Sequence, residues 1–407
     1  MFTTPVGIPA VDRGRVQWDW GREIAIPGPE YQPSLLLFTP VLLGKNFVKD
    51  LTKEAQAWQR KVRLQGGDWQ GTFRIYADEA TLTDYFYNWL GYHLEESVQG
   101  VVSWRGMLYE MTLNTHNASR TRSLDQMYNH VRTKWNDGTD HITSASLVQA
   151  SIDRYGRREA IEDAAKTGSA LAAAGSATYL AEHAWPWSRP QASGGEGIAS
   201  LDVTVCGYIF TANWRHTTTD DDATDTIHDW MVDILTNDCA TFLTPGNIWN
   251  NTTTITRTVE GYERCWDLML KRLVKMGDAG GALYRAYVRG DRYFYYEQIP
   301  TEPNYYIVKG MLSSRLEAAE ALNPWFVQPG VFRDMDYTMS YQEQGSYLAD
   351  VRDLIVEEVS VGVNSGLSWQ ALDFSESAQL AAYQEYVKVA APAKAKPKKK
   401  KKKKKKK

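Results

Sequence analysis

The chain has 407 residues, 43% of them apolar and 12% aromatic with 15 Trp and 23 Tyr, enough for two ordinary domains or three small ones. Three scattered cysteines, Cys206, Cys239 and Cys265, form no C-x-x-C pair, which argues against a disulfide framework or a structural zinc site; no apolar run approaches the roughly 20 residues of a membrane helix, and the start lacks the pattern of a secretory signal. The formal charge of −3 divides into twelve lysines within residues 394–407 and −15 on residues 1–393, so an acidic body carries a polycationic end.

The first forty residues are rich in Pro and Gly, with an extended piece at Ser34–Phe38. In Trp58–Leu64, Trp58, Val62 and Leu64 share the parity of a half-buried strand. Gly66-Gly67-Asp68 reads as a turn, and the next strand sets Trp69, Phe73 and Ile75 on one face with Gly71 between them. Leu82, Tyr85, Phe86, Trp89 and Leu90 have the spacing of a short amphipathic helix that Gly91 ends. Val101–Leu113 alternates with apolar residues on both faces, as in a covered sheet. Residues 114–145 are polar and predict a long loop holding one strand. Arg157–His183, Ala-rich and without Pro, predicts one long or two shorter helices, broken at Gly168 or Gly175. Pro186 and Pro190 stop it, and Ser193–Gly197 reads as a linker.

A second unit opens with the strand Leu201–Ile209. Ile227, Trp230, Met231, Ile234 and Leu235 form a helical stripe, and Tyr262, Cys265, Trp266, Met269, Leu270 and Leu273 another, ended by Gly277. Ala282–Val288 and Tyr293–Ile299 flank a Gly290-Asp291 turn as a hairpin. Residues 331–364 predict further strands and Ser375–Val389 a closing helix. The order is neither βαβ nor all-β, and α+β fits it best. The implied domains are 1–145 (β-rich), 146–200 (helix and linker), 201–375 (α+β) and 376–407 (helix and lysine arm).

Chemistry-bearing motifs are missing. No His lies in H-E-x-x-H or at metal-ligand spacing, and there is no nucleophile elbow, Walker loop or dinucleotide fingerprint. The reading is therefore a non-enzyme with no catalytic, cofactor or metal residues. Asp220, Asp221, Asp222 and Asp225 could offer oxygens to calcium, but lack the EF-hand glycine and glutamate and sit where acids suit a helix start. Glu95-Glu96 and Glu357-Glu358 are strand neighbours facing opposite ways, so neither doublet is the facing pair that glycoside hydrolysis needs; a pair of distant carboxylates stays open. Arg289-Gly290-Asp291 matches an adhesion tripeptide, which turn chemistry alone explains. The remaining candidate is the run Lys398, Lys399, Lys400, Lys401, Lys402, Lys403, Lys404, Lys405, Lys406 and Lys407, either a polyanion-binding arm or a low-complexity end without a partner.

The order of segments resembles a family. Residues 66–113 run through a G-x-W-x-x-x-F strand at Gly67–Phe73, a short helix, Leu90-Gly91 and a W-x-G strand at Trp104-Arg105-Gly106. In this they are similar to the opening domain of hub and tail-tip proteins of tailed bacteriophages. Tyr155-Gly156-Arg157-Arg158-Glu159 and Tyr179-Leu180-Ala181-Glu182 resemble the ends of a helical segment in minor tail proteins, and residues 201–214 and 261–300 continue the order. The resemblance covers roughly residues 40–365. It implies two tail-tube-like β-barrel or sheet units with short covering helices and a helical insertion. It also implies ring self-assembly, often trimeric, among other tail proteins at the tail tip of a virion, after synthesis in the host cytoplasm and without membrane insertion. Alternatives are a receptor- or carbohydrate-binding tail-tip protein and a tail-associated cell-wall hydrolase.

Overall fold

The computed structural model describes residues 15–17, 23–25, 32–116, 118–164, 168–192, 198–217, 223–257, 263–278, 280–290, 292–300, 302–308, 311–314, 322–335, 338–339, 348–349 and 352–371. The expected linker at 193–197, the closing helix at Ser375–Val389 and the lysine run lie outside the described residues. What is described is a sheet-rich α+β fold, as the sequence predicts.

After a short antiparallel pair, Arg15–Gln17 with Glu23–Ala25, come β1 (Ser34–Phe38), β2 (Phe47–Asp50), β3 (Ala55–Arg63) and β4 (Gly66–Tyr76). Alternation holds in β3: Trp58, Arg60 and Val62 are buried while Gln59 and Lys61 are exposed. The turn between β3 and β4 is Leu64-Gln65, two residues before the expected one. Gly66 and Gly67 begin β4 instead, because a later strand crosses there: a Cβ on Gly67 would lie 2.3 Å from the Val288 carbonyl oxygen. Gly71 has a similar reason, since a Cβ there would come within 2.3 Å of the Trp58 ring.

Helix α1 (Glu79–Asn88) starts at Asp78, whose side chain accepts the Thr81 N–H at 2.9 Å. It buries Leu82, Tyr85 and Phe86, and Gly91 beyond it takes φ +86°. Then come β5 (His93–Val98), β6 (Val101–Asn114), β7 (Ala118–Ser123), β8 (His130–Asn136), β9 (Asp140–Ile142) and β10 (Ser146–Leu147). The expected loop at 114–145 is thus mostly strand; β7 is only half-buried, which hides its alternation. Next are α2 (Gln149–Tyr155), β11 (Glu159–Asp163) and α3 (Ser169–His183). The helix expected from Arg157 therefore starts only at Ser169, with Gly168 as its N-cap and Gly175 inside it. Residues 159–163 are drawn into a strand by parallel pairing with β8.

Strands β12 (Ser188–Ala192) and β13 (Ser200–Cys206) follow, then a 3₁₀ segment Tyr208–Trp214, α4 (Ile227–Asp233) and β14 (Thr244–Ile248). A wide, π-type helical segment Asp267–Leu273 precedes the hairpin of β15 (Tyr284–Arg289) and β16 (Tyr293–Gln298). The last strands used below are β17 (Tyr305–Val308), β18 (Gly330–Asp334), β19 (Arg352–Gly362) and β20 (Gly366–Ala371).

One antiparallel path runs β2-β1-β5-β6-β13-β4-β3-β19-β20. Strand β7 and then β12 branch from β6, the β15–β16 hairpin from the start of β4, and β18 with β17 from β19. Among the described residues no ladder joins β20 back to β2, so the path does not close into a ring. Strand β13, from the middle of the sequence, sits between β6 and β4, both from its first 114 residues. A single apolar cluster accordingly extends from Leu35 to Trp369 and takes in Phe73, Trp89 and Trp104, with Trp69 packed half-buried against it. A small second cluster, Val131, Ala160, Leu180 and Ala184, lies under α3. No helix among the described residues is long and apolar enough to cross a membrane.

Candidate functional site

Three buried clusters of charge are the chemistry this fold assembles. The first is built on the sheet by β3, β4, β5 and β6. Glu96 and Arg60 are both fully buried, and the Arg60 Nε donates to the Glu96 carboxylate at 2.9 Å. The Trp58 indole N–H and the Ser103 hydroxyl donate to the same carboxylate, and Arg60 also donates to the Trp325 carbonyl. Such a pair holds because each charge has a fixed partner; without one, burial would cost several kcal/mol. Asp68 sits in this neighbourhood, accepting the Arg105 backbone N–H at 3.2 Å. Burial pushes its carboxyl up to about 7, against the opposing pull of Arg60 and Arg289.

On the other face of β5, Glu95 accepts from Lys45 at 2.8 Å, Arg105 at 2.7 Å and the His93 Nε2 at 3.2 Å. Burial opposes its charge, but these three donors outweigh it and hold the carboxyl far below its ordinary range. His93 is pushed down by burial and stays neutral near pH 7. Its Nδ1 then accepts from the Tyr208 hydroxyl at 2.6 Å while Nε2–H serves Glu95.

The third cluster lies where β8 and β11 meet residues 215–217. Glu159 stands opposite His130 in the parallel ladder, and its carboxylate accepts the His216 backbone N–H at 2.7 Å and a guanidinium N–H of Arg157. Arg215 Nε at 3.9 Å, His216 Nδ1 at 3.7 Å and His130 Nδ1 at 3.9 Å complete the ring. Burial would raise the Glu159 carboxyl, yet His216, Arg215 and Arg157 hold it at about 2. Burial, helped by Arg157, pulls His130 down to about 4.

In the second and third clusters the donors favour the charged form of the carboxylate, Glu95 or Glu159, and burial shifts His93 and His130 toward the neutral form. A general acid or base needs a pKa near the working pH, and the shifts of Glu95, Glu159, His93 and His130 lead away from it. Asp68, at about 7, is shifted toward such a value, and the charges of buried Arg60 and half-buried Arg289 act on it. Among the described residues no group of three or more His, Cys, Asp or Glu is placed to hold a metal. A recess lined by Leu42, Tyr155, Tyr208 and Phe242 offers only about 10 Å³, room for little beyond a water.

The lysines Lys398–Lys407 and Asp220–Asp222 lie outside the described residues. Asp225 accepts the Thr226 N–H at 2.8 Å, and the N-cap of α4 is Thr226 rather than an acid. Glu358 takes Lys61 at 2.9 Å and Arg63 at 2.8 Å across the β3–β19 ladder, whereas burial raises the Glu357 carboxyl. Gly290 takes φ +60° beside Arg289, as a turn requires, and Asp291 lies outside the described residues. Sequence reasoning passed over Arg60, although its parity with Trp58 and Val62 marked it as buried; Glu159 had no comparable signal.

No protein-family model matches the chain, and no curated protein matches it.

Proposed function

We propose that this chain is a structural component of a phage tail, a hub, baseplate or minor tail protein that self-assembles into a ring at the tail tip. The observation that carries the reading is the end of the long sheet. Strand β2 has a ladder to β1 and none on its outer edge among the described residues. Phe47 is 61% exposed there, Val48 38% and the adjacent Leu43 53%. An unpaired edge carrying apolar side chains is a template for another strand, and the occupant that fits is a second copy of this chain. In this reading the antiparallel path supplies the wall of tube-like units, and the buried ion pairs stiffen that wall. The test is labelling of the protein on tailed particles viewed by electron microscopy. Label at the tail end supports the reading; label absent from particles, or confined to the capsid, overturns it.

A second reading, binding of a receptor glycan, is favoured by exposed tryptophans. Trp185 is 45% exposed, Trp187 36% and Trp249 46%, and indole faces stack on sugar rings. A glycan array probed with the full chain decides it: reproducible hits lost in Trp185→Ala or Trp249→Ala support it, and an empty array removes it.

A further inference from the structure

We propose that Arg120, Tyr87, Arg122, Arg154 and Trp185 form one surface strip that binds single-stranded nucleic acid without sequence preference. The strip is assembled at the C-terminal end of α1, where the last carbonyls of the helix attract cations. Arg120 and Arg122 lie two residues apart on β7 and so share one of its faces. Arg122 donates to the Phe86 carbonyl at 3.1 Å and to the Tyr87 carbonyl at 2.8 Å, and Arg154 of α2 donates to the Asn88 carbonyl at 3.3 Å. Arg120 donates to the Tyr87 hydroxyl at 2.6 Å, and the Arg122 guanidinium stands 5.5 Å from the centre of the Tyr87 ring. Arg154 stands 5.2 Å from the ring of Tyr155, which is buried and meets the Trp185 indole edge-on at 6.4 Å.

These contacts leave the strip able to take a ligand. A guanidinium has five N–H donors, and the bonds at the end of α1 use one nitrogen of each arginine, so donors remain for an anion. Among the described residues none of the three arginines is in ion-pair contact with a carboxylate. Asp84 and Asp153, on the same two helices, accept instead from Asn88 at 2.7 Å and from Gln149 at 2.6 Å. The outer rings are open to solvent, Tyr87 at 44% and Trp185 at 45%. On a body that carries −15, three such arginines make a local stretch that attracts anions. Guanidinium and ring alternate along it, and a single strand offers the complement, one phosphate and one flat base per nucleotide. A neutral glycan would leave the guanidinium charge unmatched.

The experiment has to tell this strip from the lysine run. The full chain is mixed with an oligothymidylate of about 12 nucleotides, within the ~4–16 of known single-strand sites, irradiated with ultraviolet light, digested and mapped by mass spectrometry. The expected result is nucleotide cross-links on the peptides that carry Tyr87 and Trp185. Affinity read by fluorescence anisotropy should fall about tenfold in Trp185→Ala, and the log–log salt slope should flatten by about 0.7 in Arg120→Gln. Arg189→Gln, an equal loss of charge on the other face of the β7–β12 ladder, should change neither. Cross-links that are absent or confined to the lysine run, or an Arg189→Gln effect equal to that of Arg120→Gln, would overturn the proposal. So would a strip that ignores the oligonucleotide but holds alginate in the wild type and not in Trp185→Ala, which would assign it to an acidic polysaccharide. The wild-type cross-link map decides even where a variant fails to fold.

Discussion

The charge centre on the sheet and the one at the β8–β11 junction use the same parts and respond to protons in opposite directions. Around Glu96 both partners are fully enclosed, and a second carboxyl, Asp68, feels the charge of the same Arg60. Around Glu159 one partner, Arg157, keeps 28% of its side chain exposed, and every nearby group favours the charged carboxylate or is pulled neutral. A buried acid is thus stabilised by its own donors rather than by arginines in the general vicinity.

The largest effect should come from breaking the enclosed pair. Arg60→Met leaves Glu96 buried without its guanidinium and should cost about 3–5 kcal/mol in urea unfolding. The double variant Arg60→Met/Glu96→Gln should recover part of that loss; a single variant as stable as wild type would show that Arg60 carries no load. Phe73→Ala, in the same apolar cluster, should cost a comparable ~3–5 kcal/mol, and a change under ~0.5 kcal/mol would place Phe73 outside the core. The more open centre should suffer less: Glu159→Gln removes a charged acceptor but leaves its surroundings access to water, for about 1–3 kcal/mol.

The pH responses sharpen the contrast. Asp68 has a folded value of about 7 against an ordinary 3.8, so the folded state binds the proton more tightly. Its contribution is present at acid pH and is lost as pH rises through roughly 4 to 7. Glu159 has a folded value of about 2 against 4.5, so its contribution is present above 4.5 and is lost as pH falls toward 2. Unfolding free energies measured across pH should therefore fall less steeply between pH 5 and 7 in Asp68→Asn than in wild type. They should fall less steeply below pH 4.5 in Glu159→Gln. Parallel curves for variant and wild type would remove the assigned group. The smallest effect is expected from ending the chain at Ala393: the lysine arm cannot supply core, so Tm should barely move. If the arm binds nucleic acid, the full chain should show DNA affinity that falls steeply with salt and is absent from the truncated one.

How much of this could be read from sequence depended on whether neighbours along the chain decide the structure. The parity of Trp58 and Val62 and the stripe from Leu82 to Leu90 announce β3 and α1, because each element's own apolar face meets the core. In Trp104-Arg105-Gly106 the glycine is needed because the Trp104 ring folds back over it, where a Cβ would lie 2.5 Å away. Residues 159–163 were read as helix because Ala-rich composition runs through them; a parallel strand 29 residues earlier in the ladder, with His130 opposite Glu159, overrides that preference. The charge centres were illegible for the same reason. Arg60 meets Glu96 and Trp325, 36 and 265 positions away, and no local spacing encodes such a meeting.

The central claim, that the β2 edge joins copies of this chain, is tested most directly by light scattering of the full chain over a range of protein and salt concentrations, beside Phe47→Asp. The account predicts a mass that is a whole multiple of 46.1 kDa for the wild type and a shift toward 46.1 kDa for the variant, which keeps its Tm because Phe47 is exposed. A wild-type chain that remains at 46.1 kDa under every condition, or a variant that assembles as well as the wild type, would contradict it.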